Sequence, residues 1–249
     1  MTFRADAMPF FDSVRPRIFA HRGLHTTVPE NSLSAFRAAV EAGVTYIETD
    51  IVASRDGVAM ISHDLILDRV AGIPGAVNEK SARELAETDL GGEGFITLEA
   101  ALSTFPRTRF NIDVKDSAAI DGLVRAIKET EAQDRVLITS FSTSRRKPAL
   151  AKLPGVATSA TGTEFLRMFT TARLGFTPLV SDQHAIQIPA FIGRIPTVTP
   201  ALLDRYHRAG LEVHVWTVNE PSEMRRLLSM GVDGLVTDRA DLALDLVRS

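Results

Sequence analysis

The chain has 249 residues, 45% of them apolar, which is enough to fill a sizeable core and excludes disorder over most of its length. Lys and Arg total 28 against 31 Asp and Glu, a net charge of −3, so no global positive field exists to hold a nucleic acid. Cysteine is absent, which excludes a disulfide framework, thiolate metal sites and a cysteine nucleophile and leaves any catalysis to oxygen and nitrogen groups.

The N-terminal stretch MTFRADAMPFFDSVRPR carries charges and a proline where a secretory signal needs an apolar core. No run reaches the ~18 apolar residues of a membrane span, so a cytoplasmic protein without integral membrane association is expected. Strands are then predicted at 17–21, 44–51, 58–63, 109–115, 135–141, 155–160, 185–189, 211–219 and 234–238. Helices are predicted between them, at 31–42, 97–105, 117–132, 142–151, 163–173, 200–209, 220–230 and 239–247. Asn31, Thr199-Pro200 and Asn219-Glu220-Pro221 read as helix starts, and Gly43 and Gly231 as stops. Asp56-Gly57 is a tight-turn dipeptide, so one of the strands it joins is expected to be a strand extension or a rim hairpin. Residues 65–96, with Gly72, Pro74, Gly75, Gly91, Gly92 and Gly94, lack periodicity and are predicted to form a loop-rich insertion with one short helix at 81–86. Alternating strands and helices over this length predict a single α/β domain across 1–249, a (β/α)8 TIM barrel with its core at 17–247. An open doubly wound sheet is the alternative, but the glycine-rich dinucleotide fingerprint is missing.

Polar residues on buried strands need a reason, and here they recur with period two. Glu48 and Asp50 share one face of their strand, and Asn111, Asp113 and Lys115 share one face of another. Paired carboxylates repel unless one is protonated or a cation lies between them, and hard oxygen donors at this spacing suit Mg²⁺ or Ca²⁺. His21 and His63 end strands, so in a barrel both would face the mouth as candidate general acid and base. Arg22 offers a planar fork for phosphate beside Gly23, and Trp216 is a candidate wall of the mouth. Glu30 either touches the site or favours the first helix dipole, Asn31 is the expected N-cap, and Gln187 needs a polar partner inside the barrel. His25, His184 and His207 are expected at the surface.

The series HRG (21–23), PEN (29–31), ETD (48–50), HD (63–64), LDRVAG (67–72), TLEAAL (97–102), NIDVK (111–115), QIP (187–189), VHVWTVN (213–219) and GVDGLVTDRADL (231–242) resembles the glycerophosphodiester phosphodiesterase family in order and spacing. The resemblance implies a TIM barrel with a small insertion after the second histidine, and hydrolysis of glycerophosphodiesters to glycerol 3-phosphate and an alcohol. It places the acid–base pair on His21 and His63, the metal-binding acids on Glu48, Asp50 and Asp113, and phosphate contacts on Arg22 and Lys115. Asp113 is the departure, since many members have glutamate there. The expected ligands are one divalent cation, Mg²⁺ or Ca²⁺, and a small phosphodiester. The resemblance implies a cyclic phosphate route, with His21 assigned here as the base. Two rival readings are phospholipase D-like action on lysophospholipid or sphingolipid-type diesters, and a non-catalytic barrel that binds a phosphoryl ligand.

Overall fold

A computed structural model describes residues 5–248. Eight parallel strands form the barrel: β1 (Arg17–His21), β2 (Tyr46–Ala53), β4 (Arg109–Val114), β5 (Val136–Thr139), β6 (Ala157–Thr158), β7 (Ala185–Pro189), β10 (Glu212–Trp216) and β11 (Gly234–Thr237). They pair in the order β6-β5-β4-β2-β1-β11-β10-β7. Closure comes from the Ala160 and His184 amides, which donate to the Ala185 and Thr158 carbonyls at 2.9 Å each. The fold is thus a (β/α)8 barrel, as expected. The ninth predicted strand is β3 (Ala59–Ile61), which pairs antiparallel with β2 across the Asp56-Gly57 turn and forms a rim hairpin. A second hairpin, β8 (Phe191–Ile192) with β9 (Ile195–Pro196), was not predicted.

Helices α1 (Leu33–Ala42), α4 (Leu98–Thr104), α5 (Ile120–Glu129), α6 (Thr143–Lys152), α7 (Gly162–Arg173), α8 (Pro200–Arg208), α9 (Pro221–Met230) and α10 (Ala240–Arg248) surround the barrel. Their starts follow local chemistry: Ser32, Thr97, Thr161 and Thr199 each accept a hydrogen bond from a first-turn amide. The cap of α1 is therefore Ser32 and not Asn31, which sits at φ 54° one residue earlier. The predicted insertion contains two one-turn helices, α2 (Asp68–Ala71) and α3 (Ala82–Ala86), and Leu67, Val77, Leu85 and Phe95 pack with Val52 and Met60 into a small core of its own.

Strand alternation sorts side chains into two populations. Ile18, Ile47, Ile51, Phe110, Ile112 and Val136 pack outward under the helices. Phe19, Tyr46, Leu137, Ala157, Ala185 and Val236 fill the lumen and pack against Phe10 and Phe11 of the N-terminal segment. Because that layer is solid, polar groups can gather only above it, at the strand C-termini, or below it. His184 and His207, expected at the surface, have partners: the Thr158 amide donates to His184 Nδ1 at 3.2 Å, and His207 Nε2 lies 2.8 Å from Asp233.

Candidate active site

Register assembles the mouth. β1 sets His21 beside Glu48, and β2 sets Glu48 beside Asn111 and Asp50 beside Asp113. Residues far apart in the chain thereby share one face at the C-terminal ends of three adjacent strands. His21, Arg22, Glu48, Asp50, His63, Asp113, Lys115 and Trp216 all line one cavity of about 430 Å³, so the predicted residues do converge. Phe141, Phe165, Ile192 and Pro189 add apolar lining, with Phe141 edge-on to Trp216 at 5.7 Å between ring centroids and the Lys115 ammonium 5.8 Å from the Phe141 ring.

The three acids are only 8% (Glu48), 2% (Asp50) and 5% (Asp113) exposed, so their charges are not dispersed by water. Burial and the neighbouring Asp50 push the Glu48 carboxyl up to about 8. Burial also raises Asp113, against the pull of Lys115. Lys115 Nζ lies 2.7 Å from Asp113 Oδ2 and 3.0 Å from Asp50 Oδ1. Although burial opposes it, these two carboxylates hold Lys115 above the usual ammonium range. Asn31 donates to Asp50 at 3.2 Å and accepts from Thr49 at 2.7 Å, so its left-handed backbone serves the site. Glu48 Oε2 and Asp113 Oδ1 remain buried without a hydrogen-bond partner. Two unsatisfied carboxyl oxygens beside a third acid are a donor set that suits a hard divalent cation, whose charge would favour their ionised forms.

Each histidine is oriented by a carboxylate. His21 Nδ1 lies 2.6 Å from Asp238 Oδ1, and His63 Nδ1 lies 2.6 Å from Asp64 Oδ1, which leaves the Nε2 atoms for chemistry. His21 Nε2 is 3.9 Å from Glu48. Burial lowers the His21 pKa, but the Asp238 hydrogen bond and Glu48 charge outweigh it and set a net rise. Asp238 is held far below the carboxylate range, because hydrogen bonds from His21, His25 and Asn219 overcome its burial. His25, expected at the surface, is 3.2 Å from Asp238. Among the described residues, His21, His25 and Asp238 are the only three imidazole or carboxylate groups with donor atoms within 4.8 Å of one another. That group is satisfied by its own hydrogen bonds, whereas Glu48 and Asp113 each keep an unsatisfied oxygen.

Sequence reasoning missed Asp238, Asp64 and Arg69 as partners of the site, and left Glu30 open. Glu30 accepts from Arg22 at 3.0 Å and from Arg69 at 2.7 Å. The TD step at 237–238 and the HD step at 63–64 were visible, but nothing local indicated which imidazole each acid would meet.

Residues 21–242 match the family model described as the glycerophosphoryl diester phosphodiesterase family. A Mycobacterium tuberculosis protein named "Probable glycerophosphodiester phosphodiesterase 2" is 43% identical over 235 residues, 92% of this chain and 89% of that protein. A glycerophosphodiester phosphodiesterase of Caldanaerobacter subterraneus subsp. tengcongensis is 28% identical over 93% of this chain and 97% of its own. Among solved structures, an Oleispira antarctica phosphodiesterase in complex with the product sn-glycerol-3-phosphate superposes with a TM-score of 0.79, at 24% identity, over 94% of this chain and 98% of that one. The chain belongs to the glycerophosphoryl diester phosphodiesterase family and is a phosphoric diester hydrolase.

Proposed function

We propose that this mouth hydrolyses glycerophosphodiesters to glycerol 3-phosphate and an alcohol by histidine acid–base catalysis around one divalent ion. The observation that carries the reading is the pairing of two imidazoles, each held at Nδ1 by a carboxylate, with buried acids that keep unsatisfied oxygens in the same cavity. Glu48, Asp50 and Asp113 would hold the ion, Mg²⁺ or Ca²⁺ by donor chemistry, and when bound it would neutralise charge on the phosphoryl oxygens. Arg22 presents its guanidinium and Lys115 its ammonium to the phosphate from the same rim, and Trp216 walls the cavity on the apolar side.

One imidazole Nε2 takes the proton from the nucleophile, which is either the adjacent glycerol hydroxyl or a water. The phosphorus–oxygen bond to the alcohol then breaks as the new one forms, and the other imidazole protonates the departing oxygen. With the glycerol hydroxyl as nucleophile, a cyclic phosphate forms and water opens it in a second, mirror-image step.

The test is release of glycerol 3-phosphate from several head-group diesters, before and after exhaustive chelation. Chelated enzyme should be inactive and recover with Mg²⁺ or Ca²⁺; turnover that survives chelation would refute the metal role. His21→Ala and His63→Ala should each lower kcat by about 10²–10⁴-fold. The variant that lacks the acid should recover on a p-nitrophenyl diester, whose leaving group needs no proton, and that recovery assigns the two roles. Near-parental kcat of either variant on an alkyl diester removes that histidine from the mechanism.

A further inference from the structure

The insertion contributes a charged side chain that bridges two parts of the site. Arg69, on the single turn of α2, donates through Nε to Asp64 Oδ2 and through Nη2 to Glu30 Oε1 at 2.7 Å. Asp64 uses its other oxygen to hold His63 Nδ1 at 2.6 Å. Glu30 uses the same Oε1 to hold Arg22 Nη1 at 3.0 Å, while Arg22 Nε lies 3.4 Å from Asp50. A continuous chain of hydrogen bonds and ion pairs therefore runs His63–Asp64–Arg69–Glu30–Arg22–Asp50.

We propose that Arg69 is a positioning residue that locks the His63 imidazole and the Arg22 fork in register with each other. The geometry of the guanidinium fits this role: the two donating nitrogens, Nε and Nη2, belong to one rigid plane, so fixing one partner constrains the direction of the other. The backbone supports it as well. Leu67, directly before α2, is fully buried in the insertion's small core, and its amide donates to the Gly75 carbonyl at 3.0 Å. Arg69 is thus half-exposed on a well-anchored turn, and it can be substituted without opening the core. Burial pushes Glu30 and Asp64 up, but Arg69 together with Arg22 at Glu30, and Arg69 together with His63 at Asp64, outweigh it and hold both below the usual carboxylate range. Asp64 and Glu30 come from different loops, one after β3 and one before α1, and among the described residues Arg69 donates to both. The insertion then has a chemical purpose beyond covering β3.

This assignment rests on the diester-hydrolase reading of the mouth, and the experiment separates the two. Arg69→Gln, in Mg²⁺-loaded enzyme, should lower kcat and raise KM together, each by about tenfold, because it loosens both arms. Asp64→Asn should act mainly on kcat and Glu30→Gln mainly on KM. In the Asp64→Asn, Glu30→Gln double background, Arg69→Gln should change neither parameter by more than about twofold, since Arg69 then has no anion to hold. Arg69→Lys should recover part of the loss. A second readout needs no turnover: Kd for inorganic phosphate should weaken in Arg69→Gln and be unaffected by the same change in the double background. An Arg69→Gln effect of equal size in both backgrounds would show that Arg69 merely props up the insertion. Parental kinetics and parental phosphate affinity in Arg69→Gln would overturn the clamp outright. Failure of the parent itself to turn over any diester, with the phosphate coupling intact, would instead fault the hydrolase reading and leave the clamp standing.

Discussion

A carboxylate beside an imidazole does two things at once, and the His21–Asp238 pair shows both. It chooses which ring nitrogen faces the substrate, and it ties the charge state of the ring to the stability of the fold. Asp238 is depressed below its ordinary 3.8, so its stabilisation is present above that value and is lost as pH falls through the folded-state value. His21 is raised above 6.5, so its contribution is complete below 6.5 and disappears as pH rises through its folded value. The two together stabilise most between about pH 4 and 6.5. Denaturation of Asp238→Asn across pH should therefore show its largest deficit against the parent in that window, narrowing on the alkaline side. A deficit independent of pH would mean that Asp238 is held by Asn219 alone. The variant should also lose at least about tenfold in kcat, since an amide no longer enforces one tautomer.

At the scale of elements, what could be read in the sequence was whatever had a period. β1 and β7 were predicted to the residue, and polar residues at alternate positions on β2 and β4 correctly pointed to one face. The β8–β9 hairpin was missed because two-residue strands on either side of Gly193-Arg194 have no period to detect, and α2 was missed because its single turn starts at Leu67 without a capping side chain, whereas the one-turn α3 has Ser81. Asn31 resembled a cap until the structure gave that role to Ser32 and aimed the Asn31 amide at Asp50. The site's second layer was illegible for a different reason: His21 and Asp238 are 217 residues apart, and no local pattern encodes a contact made only by closing the barrel. Close packing between elements is equally hidden, and Gly122 on α5 is the clearest case. A Cβ there would lie 2.6 Å from the Ala59 amide nitrogen and 2.9 Å from the Gly57 carbonyl, both backbone atoms of the β2–β3 hairpin. Gly122→Ala gains up to about 1 kcal/mol of helix propensity but costs about 1–3 kcal/mol in overpacking. The expected result is a lower urea midpoint with unchanged m-value and a kcat within about twofold of the parent. A higher midpoint would show that the hairpin yields.

Across the whole molecule, the solid lumen layer separates two charged ends with opposite purposes. Below it, Arg17 and Glu212 form a fully buried pair at 3.0 Å, Arg15 reaches the same glutamate at 2.8 Å, and His214 lies 3.1 Å from it. Phe10 and Phe11 cap this floor, with the Phe11 carbonyl accepting from Arg17 and the Phe10 carbonyl from Tyr46. Arg15 and Arg17 both face Glu212 there. Above the layer, Glu48 is buried against other acids, and burial with the neighbouring Asp50 pushes its carboxyl up to about 8. The same substitution should therefore have opposite effects at the two ends. Glu212→Gln strips the buried Arg17 of its counter-charge and should cost about 3–5 kcal/mol, the usual result of breaking one side of a buried pair, while kcat of the folded enzyme stays near parental. Glu48→Gln should abolish most turnover yet leave the metal-free fold as stable or more so. The sign follows from linkage: a carboxyl raised from 4.5 to about 8 leaves stability intact below 4.5 and removes it progressively as pH climbs to about 8. In chelator, parental stability should fall across that interval more steeply than that of Glu48→Gln, in which His21 and Asp113 still titrate, so the two diverge most above pH 8. Parallel curves would mean that Glu48 is already balanced by Lys115 and His21. A Glu48→Gln variant that is both active and unstable would reverse the division of labour between the two ends of the barrel.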